Sequence, residues 1–213
     1  MTKERSPLTP ESSVPTLADV ARRANVSTAT VSRCLNSPDQ VIESTRTRVM
    51  QAVNDLGYAP NFSARSLAAK HTNTIGAVIP TMENAIFARG IQAFQEELGR
   101  HGYTLLVASS SYEEALEEEQ IRTLAARGAD GLLLIGYHRD PSLHDFLKSR
   151  SVPTLLAWAF DSNSDLPAIG FSNKNAMADL ARLVLEKGHR KIGVISADTG
   201  ANDRARDRVA GVQ

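Results

Sequence analysis

Cysteine is nearly absent from this sequence. Cys34 is the only cysteine in 213 residues, which excludes an intramolecular disulfide. No apolar run approaches the roughly 18 residues that a membrane-spanning helix requires. The first 15 residues are polar and rich in proline and serine, and they lack the apolar core of a signal peptide. The composition therefore predicts a protein of the reducing cytoplasm with a disordered tail at 1–15.

The sequence also lacks the motifs of common enzyme chemistry. It contains no HExxH, no GxxxxGK[ST], no GxSxG and no GxGxxG after a predicted strand. The histidines show no metal-ligand spacing; they are His71, His101, His138, His144 and His189. These absences predict a protein that is not an enzyme and that binds no metal or cofactor.

Charge is distributed unevenly, although the formal net charge is zero. Residues 16–70 contain seven basic and four acidic side chains, whereas residues 71–213 contain 15 basic and 18 acidic ones. A small basic segment beside an acidic body is typical of a nucleic-acid-binding headpiece attached to another domain.

The headpiece sequence predicts three short helices. Apolar residues recur at helical spacing from Leu17 to Ala24, and Thr16 is the predicted N-cap of this first helix. Ser27 is the predicted cap of a second helix, 28–35. A third helix over about 44–56 ends at a glycine.

The first two predicted helices have the spacing of a helix-turn-helix. Asn25 lies in the short turn between them and tolerates the positive φ that a tight turn requires. The second helix presents small polar residues at its start, where a recognition helix reaches base edges in the major groove. Ala29 can contact a thymine methyl group, and Arg33 can donate two hydrogen bonds to guanine.

From Thr74 onward, apolar segments of strand length alternate with helical patterns. This alternation predicts an α/β domain with a parallel sheet. The predicted strands are 74–79, 103–108, 131–135, 154–159, 168–171 and 191–196, and the predicted helices are 84–100, 113–127, 142–149 and 174–187. The Gly128-Ala-Asp-Gly131 sequence is a predicted helix-to-strand turn.

Several segments resemble the LacI/GalR family of bacterial repressors. The resemblance is carried by TLADVARRANVSTATVSRCLN at 16–36, by LGYAPN at 56–61, by TIGAVIP at 74–80 and by GHRKIGVI at 188–195. It implies a homodimer that represses transcription at a pseudo-palindromic DNA operator. It also implies a periplasmic-binding-protein-like sensor domain that binds a small-molecule effector.

The resemblance and the residue chemistry together predict the DNA contacts. In the headpiece these are Thr16, Ser27, Thr28, Ala29, Thr30, Ser32, Arg33 and Asn36, followed by Ala64, Arg65 and Leu67. The last three lie in a short helix-compatible segment at 61–70, too short to be stable alone in water. The resemblance implies a hinge helix whose Leu67 inserts into the minor groove. Residue chemistry alone equally allows a plain linker with Leu67 packed on the core.

Effector contacts are expected beyond the carboxyl ends of the parallel strands. The residues in such positions are Asn84, Phe87, Ser109, Ser110, Ser111, Tyr137, Trp158, Phe160, Ser172 and Asn173. The resemblance adds Arg208, set in an Arg-x-x-Gly sequence, with Asn202 and Arg204 just before it. Aromatic rings, amides and an arginine suit a sugar or sugar acid, although each aromatic can equally be a core residue. Phe87, Ser110, Trp158, Asn173, Arg204 and Arg208 form the predicted effector set.

The predicted organisation is a tail at 1–15, a headpiece at 16–60, a hinge and linker at 61–73 and a sensor domain at 74–213. The resemblance implies further strands beyond residue 213, so we expect the sensor domain to be incomplete. The rival hypothesis is a sugar- or nucleotide-binding α/β protein with an incidental helical N-terminus. Such a protein would carry a signal peptide or an enzyme motif, and the sequence shows neither.

Overall fold

The computed structural model describes residues 14–59, 71–162 and 164–213. The chain divides into two compact units, Met1–Ala68 and Ala69–Gln213, called here the helical unit and the sheet unit. Residues 1–13 of the predicted tail at 1–15 and the whole predicted hinge segment at 61–70 lie outside the described residues. Ala64, Arg65 and Leu67 therefore stay predictions.

Among its described residues, the helical unit has three α-helices: α1 (Leu17–Ala24), α2 (Thr28–Asn36) and α3 (Glu43–Leu56), with a 3₁₀ turn at Pro38–Gln40. Asn25 connects α1 to α2 with φ of 51°, which confirms the predicted left-handed turn. Gly57 ends α3 with φ of 61° and donates its backbone N–H to the last turn of the helix.

A small apolar core joins the three helices. Val20, Val31, Cys34, Val49 and Ala52 are buried in it, so each helix contributes side chains. The lone cysteine is therefore a core residue of the helical unit. An ion pair between Arg23 and Asp55, 3.0 Å apart, also links α1 to α3 at the surface.

The sheet unit alternates strands and helices. In chain order its elements are β1 (Thr74–Ile79), α4 (Ala85–Arg100), β2 (Thr104–Ser109), α5 (Glu114–Ala126), β3 (Gly131–Ile135), α6 (Pro141–Ser149), β4 (Thr154–Ala157), β5 (Ala168–Ile169), α7 (Asn173–Glu186) and α8 (Asp203–Val212). All pairings are parallel and the strand order is β2-β1-β3-β4-β5. The chain crosses over between β2 and β3, so the strand order reverses between β1 and β3.

Alternating residues of the central strands pack into two apolar layers, one on each face of the sheet. Val78 and Leu134 pack with Ile121 and Leu124 of α5 and with Leu143 of α6. On the other face, Ala77, Ile79 and Leu133 pack with Phe87 and Ile91 of α4. A parallel sheet covered on both faces explains why β3 is buried along its whole length.

The predicted strand at 191–196 is wrong. This segment is irregular and exposed, and Ile195 has a relative exposure of 102%. A strand needs a neighbour for its backbone hydrogen bonds, and no described strand pairs with this segment. Two other predicted strands are shorter than expected. β4 ends at Ala157 because Trp158 turns the backbone to φ of 60°, and β5 ends at Ile169.

No helix among the described residues is long and apolar enough to cross a membrane.

Candidate functional site

One face of α2 is polar and faces solvent. This face is formed by Thr28 and by the residues one, four, five and eight positions after it, which are Ala29, Ser32, Arg33 and Asn36. Ser32 is half-buried, and the other four are exposed. These spacings place the five side chains on a single helix face. Val31 and Cys34 occupy the other face and are buried in the core, so the core fixes the orientation of the polar face.

The N-terminus of α2 is capped from within the helical unit. Ser27 Oγ accepts a hydrogen bond from the backbone N–H of Thr30 at 3.1 Å and lies 2.9 Å from Thr30 Oγ1. The first N–H groups of any α-helix have no intrahelical acceptor, and their dipoles favour a nearby negative charge. The exposed start of α2, at Thr28 and Ala29, is therefore suited to approach a phosphate group.

Arg33 differs from the arginines of α1. Arg22 pairs with Asp19 and Arg23 with Asp55, each at 3.0 Å. Arg33 is exposed, and it forms no ion pair with any residue that the structure describes. Its guanidinium group is therefore available to acceptors outside the chain.

Thr16 and Asp19 form a reciprocal cap at the start of α1. Asp19 accepts hydrogen bonds from the hydroxyl and the backbone N–H of Thr16, at 2.6 and 2.9 Å. The Thr16 hydroxyl is in turn 3.4 Å from the backbone N–H of Asp19. These bonds from Thr16, with the nearby charge of Arg22, lower the pKa of the Asp19 carboxyl below its ordinary value. The cap fixes the chain direction as it enters the helix-turn-helix.

A pocket lies in the sheet unit where the strand order reverses. Pro80 follows β1 and Ile135 ends β3, and both line it together with Ser110, which follows β2. The other lining residues are Tyr112, Glu113, Glu114, Glu117, His138, Ala201, Asp203 and Arg204. Such a switch point at the carboxyl ends of the strands is the common ligand position in open α/β sheets. The pocket brings together Ser110 and Arg204 of the predicted effector set.

The first turn of α8 is held against the loop after β3. Asp203 Oδ2 accepts hydrogen bonds from the backbone N–H groups of Tyr137 at 2.6 Å and His138 at 3.0 Å. Arg204 Nη1 donates to Asp203 Oδ1 at 2.8 Å. A side chain at Gly136 would collide with both residues, because its Cβ would lie 2.2 Å from Arg204 Nη1 and 2.5 Å from Asp203 Oδ2.

Arg204 is deeply buried for a charged residue. It is 7% exposed, and desolvation lowers the pKa of its guanidinium group, opposed mainly by the charge of Asp203. Arg139 lies nearby and pairs with Glu117 at 2.8 Å, with side-chain exposures of 3% and 19%. Arg139 also donates to the carbonyl oxygens of Ile135 and Gly136, which fixes the loop after β3.

The other four predicted effector residues form a connected series. The rings of Phe87 and Trp158 meet edge to face, with centroids 5.5 Å apart. Asn173 Nδ2 donates to the carbonyl of Trp158 at 3.2 Å, and Arg208 Nη1 donates to Asn173 Oδ1 at 2.8 Å. Phe87 is also a buried core residue, so this series begins in the core and ends at the half-buried Arg208.

Further interactions of the site were not anticipated from the sequence. Sequence reasoning does not indicate five residues of the site: Asp203, Asp207, Glu117, Arg139 and Tyr112. Tyr137, which the sequence did indicate, donates its hydroxyl to the Asp207 carboxylate at 2.8 Å. Burial is the main cause that raises the pKa of the Tyr137 hydroxyl, and the hydrogen bond to Asp207 raises it further. The available signal was the helical spacing of the alternating acidic and basic residues from Asp203 to Arg208.

Two other candidates have local structural roles. Asn84 caps α4 through its side-chain oxygen, which accepts the N–H of Ile86 at 2.9 Å. Ser172 caps α7 in the same manner, with the N–H of Asn175 at 3.2 Å. Among the described residues, no group of three or more acidic, histidine or cysteine side chains is arranged to hold a metal ion.

Two family models match the chain. The model described as bacterial regulatory proteins of the lacI family matches residues 16–61. The model described as periplasmic binding proteins and sugar binding domain of the LacI family matches residues 72–213. The first match lies within the helical unit and the second within the sheet unit.

Individual relatives agree with these matches. Catabolite control protein A from Streptococcus mutans serotype c is 34% identical over 92% of this chain and 59% of its own length. A LacI-family transcriptional regulator from Silicibacter pomeroyi has a similar structure, with a TM-score of 0.83 at 27% identity over 93% of this chain and 60% of its own. The lac repressor dimer bound to operator and the anti-inducer ONPF gives a TM-score of 0.77 at 25% identity, with the same coverage of both chains. The chain thus spans 59–60% of the length of these three proteins.

Proposed function

Because the chain belongs to the LacI family of bacterial regulatory proteins, we propose that it is a sequence-specific DNA-binding regulator of transcription. We propose further that it is a repressor controlled by a small sugar or sugar acid, that it acts in the cytoplasm and that it is not an enzyme.

The exposed face of α2 is the observation that carries the DNA-binding proposal. It combines small side chains at Thr28 and Ala29, which allow close approach to DNA, with an arginine at Arg33 that pairs with no described carboxylate. A helix presented in this manner fits the major groove, and an arginine there reads guanine through its O6 and N7 atoms. Thr16, Ser27, Thr30, Ser32 and Asn36 complete the proposed headpiece surface.

The proposed DNA partner is a pseudo-palindromic operator bound by a homodimer. The lac repressor, a structural relative, is a dimer bound to operator DNA. A two-fold dimer presents two recognition helices to two half-sites, so the symmetry of the operator follows that of the protein. We assign Ala64, Arg65 and Leu67 to a hinge helix that contacts the minor groove between the half-sites.

The proposed effector site lies in the sheet unit. Arg208, held by Asn173, offers guanidinium donors for hydroxyl or carboxylate oxygens, and the Trp158 ring offers a surface on which a sugar face can stack. Ser110 and Arg204 line the pocket at the strand switch point, and Phe87 supports Trp158 from the core. The match to the sugar-binding domain of the LacI family supports a carbohydrate as the ligand class.

Selection from a random DNA pool tests the proposed function. The protein is immobilised, bound duplexes are recovered over several rounds, and the enriched sequences are compared. We expect a pseudo-palindromic motif with a guanine in each half-site that depends on Arg33. Enrichment of no motif, with binding that depends only on salt and length, would contradict the proposal.

An inverted-repeat control separates specific from general DNA affinity. Duplexes carrying one half-site, or two half-sites with altered spacing, are compared with the selected operator at one salt concentration. We expect binding to fall with either change, because a dimer requires both half-sites at a fixed separation. Equal binding to all three duplexes would show that the chain reads no operator.

A further inference from the structure

The turn between α5 and β3 holds the backbone that leads into β1. Asp130 accepts hydrogen bonds from two successive N–H groups, those of Thr72 and Asn73. The Thr72 N–H lies 3.1 Å from each carboxylate oxygen, and the Asn73 N–H lies 2.7 Å from Oδ2. Because these bonds involve an ionised acceptor, they are stronger than bonds to a neutral carbonyl.

Three more contacts hold the same residues. The Thr72 hydroxyl donates to the carbonyl of Gly128 at 2.6 Å, and the Asp130 N–H donates to the carbonyl of Thr74 at 2.8 Å. On the other side, the Asn73 carbonyl accepts the N–H of Thr104 at 2.8 Å. Asn73 itself has φ of 48°, a left-handed conformation that asparagine tolerates and that these bonds maintain.

Gly128 allows the close packing of this clamp, which we define as Thr72, Asn73, Gly128 and Asp130. Its φ of 87° is unfavourable for a residue with a side chain, and an added Cβ would lie 3.0 Å from Thr72 Cγ2. The turn predicted from the sequence thus also binds a segment more than 50 residues away in the chain.

The clamp lies apart from the two sites already described. It precedes β1 and β3, at the amino ends of the strands, whereas the ligand pocket lies beyond their carboxyl ends. It lies within the sheet unit, and α2 belongs to the helical unit. A change at Asp130 therefore alters neither the pocket lining nor the exposed face of α2.

We propose that Asp130 is a positioning residue for operator binding. Its carboxylate fixes Thr72 and Asn73, where the chain arriving from the helical unit enters the sheet unit. This proposal rests on the proposed function. A fixed entry point limits the positions open to the attached DNA-binding unit, so the second half-site is met at a higher effective concentration. Without the clamp, each headpiece still binds DNA, but the two headpieces of a dimer reach both half-sites less often.

The test compares Asp130→Asn and Thr72→Val with wild type in the full chain. Asp130→Asn keeps the shape of the side chain but turns an NH₂ group toward one of the two backbone donors. Thr72→Val removes the hydroxyl bond to Gly128 and leaves the carboxylate in place. Asp145→Asn, at an exposed position of α6, is the matched control for the loss of one negative charge.

Two quantities are measured: amide hydrogen exchange at Thr72 and Asn73, and affinity for the selected operator relative to a random duplex of equal length. For Asp130→Asn we expect faster exchange at both amides, with the β1 amides unchanged. We also expect a smaller ratio of operator to random affinity, because a longer free tether lowers the effective concentration of the second half-site. Thr72→Val should show a smaller change in the same direction, and Asp145→Asn none.

Two results would overturn the inference. One is faster exchange at Thr72 and Asn73 with an unchanged affinity ratio, which would show that the clamp stabilises only the local backbone. The other is an equal loss of affinity for both duplexes. If wild type itself does not distinguish operator from random DNA, the proposed function fails first, and that result is visible before any variant is examined.

Discussion

Arg208 Nη1 donates a hydrogen bond to Asn173 Oδ1 at 2.8 Å, and Asn173 Nδ2 donates to the carbonyl of Trp158. One buried amide, only 3% exposed, thereby connects α8, the start of α7 and the residue that follows β4. An amide that both donates and accepts fixes the orientation of its partners, so Asn173 holds Arg208 in place.

Replacing Arg208 with alanine tests its proposed effector role. The change removes the guanidinium donors and leaves the buried oxygen of Asn173 without this partner, at a cost of about 1 kcal/mol in stability. We expect the increase in melting temperature produced by a bound sugar to disappear in Arg208→Ala. Thermal unfolding with and without a panel of sugars and sugar acids measures it, with Arg182→Ala on the exposed side of α7 as control. A sugar-induced shift that is the same in Arg208→Ala and wild type would contradict the assignment.

Gly90 and Gly99 lie on the same helix, α4, and we expect replacement with alanine to have opposite effects on stability at the two positions. An added Cβ at Gly90 would lie 2.5 Å from the Trp158 ring, whereas one at Gly99 meets nothing within 4 Å. We expect Gly90→Ala to destabilise the sheet unit by about 1–3 kcal/mol because the ring must move. Gly99→Ala should be neutral or up to about 1 kcal/mol more stable, because alanine favours the helix.

Trp158 is the only tryptophan in the chain, so its fluorescence reports on this contact directly. Urea unfolding followed by this signal measures both alanine variants. An unchanged emission maximum and unchanged stability in Gly90→Ala would show that the ring does not pack on α4.

Two neighbouring glutamates of α5 allow the effect of a buried ion pair to be compared with that of an exposed one. Glu117 pairs with Arg139, whose side chain is 3% exposed, whereas Glu118 pairs with Arg122, and both of these side chains are 39% exposed. We expect Glu117→Gln to cost roughly 3 kcal/mol, because the buried guanidinium group loses its charged partner. Glu118→Gln should cost less than about 1 kcal/mol. Equal effects in chemical denaturation would show that the loop after β3 does not depend on this pair.

The helical unit should lose stability in acid through two carboxylates. Hydrogen bonds from Thr16 lower the pKa of Asp19, and hydrogen bonds from Gln51 and then Arg23 lower the pKa of Asp55. Because their pKa values in the folded state lie below the ordinary value of 3.8, their contribution is complete above that value. It is lost as the pH falls through the lower, folded values.

Amide exchange in α1 and α3, measured from pH 6 down to pH 2, follows this loss of stability. We expect Asp19→Asn and Asp55→Asn to make protection less dependent on pH, and the exposed Asp39→Asn to leave the dependence as in wild type. A pH dependence that is the same in all three variants and wild type would exclude these two carboxylates as its source.

Local sequence signals predicted most of the fold. The caps at Thr16 and Ser27, the turn at Asn25 and the end of α3 at Gly57 all depend on nearby residues, and each is found as expected. The failure at 191–196 has a different origin. Its apolar alternation satisfies the pattern of a strand, but a strand forms only beside a partner, and partner positions are not encoded locally.

The candidate site was predictable only in part for the same reason. The rule that ligands lie beyond strand ends indicated Ser110 and Asn173, because strand ends are visible in the sequence. The contact of Asp203 with the backbone of Tyr137 joins residues 66 positions apart, so only the folded chain shows it. The direction in which Trp158 turns, with φ of 60°, is likewise set by its contacts with α4 and Asn173.

Base-specific binding by Arg33 is the most direct test of the account. The affinities of wild type, Arg33→Ala and Arg48→Ala are measured for the selected operator and for each single-base variant at constant salt. We predict that Arg33→Ala loses about 1–3 kcal/mol per half-site and no longer discriminates at one base pair. Arg48 is exposed on α3, outside the recognition helix, so Arg48→Ala should keep the wild-type base preference. An Arg33→Ala variant that retains the full base preference of wild type would contradict the central claim that the exposed face of α2 reads DNA.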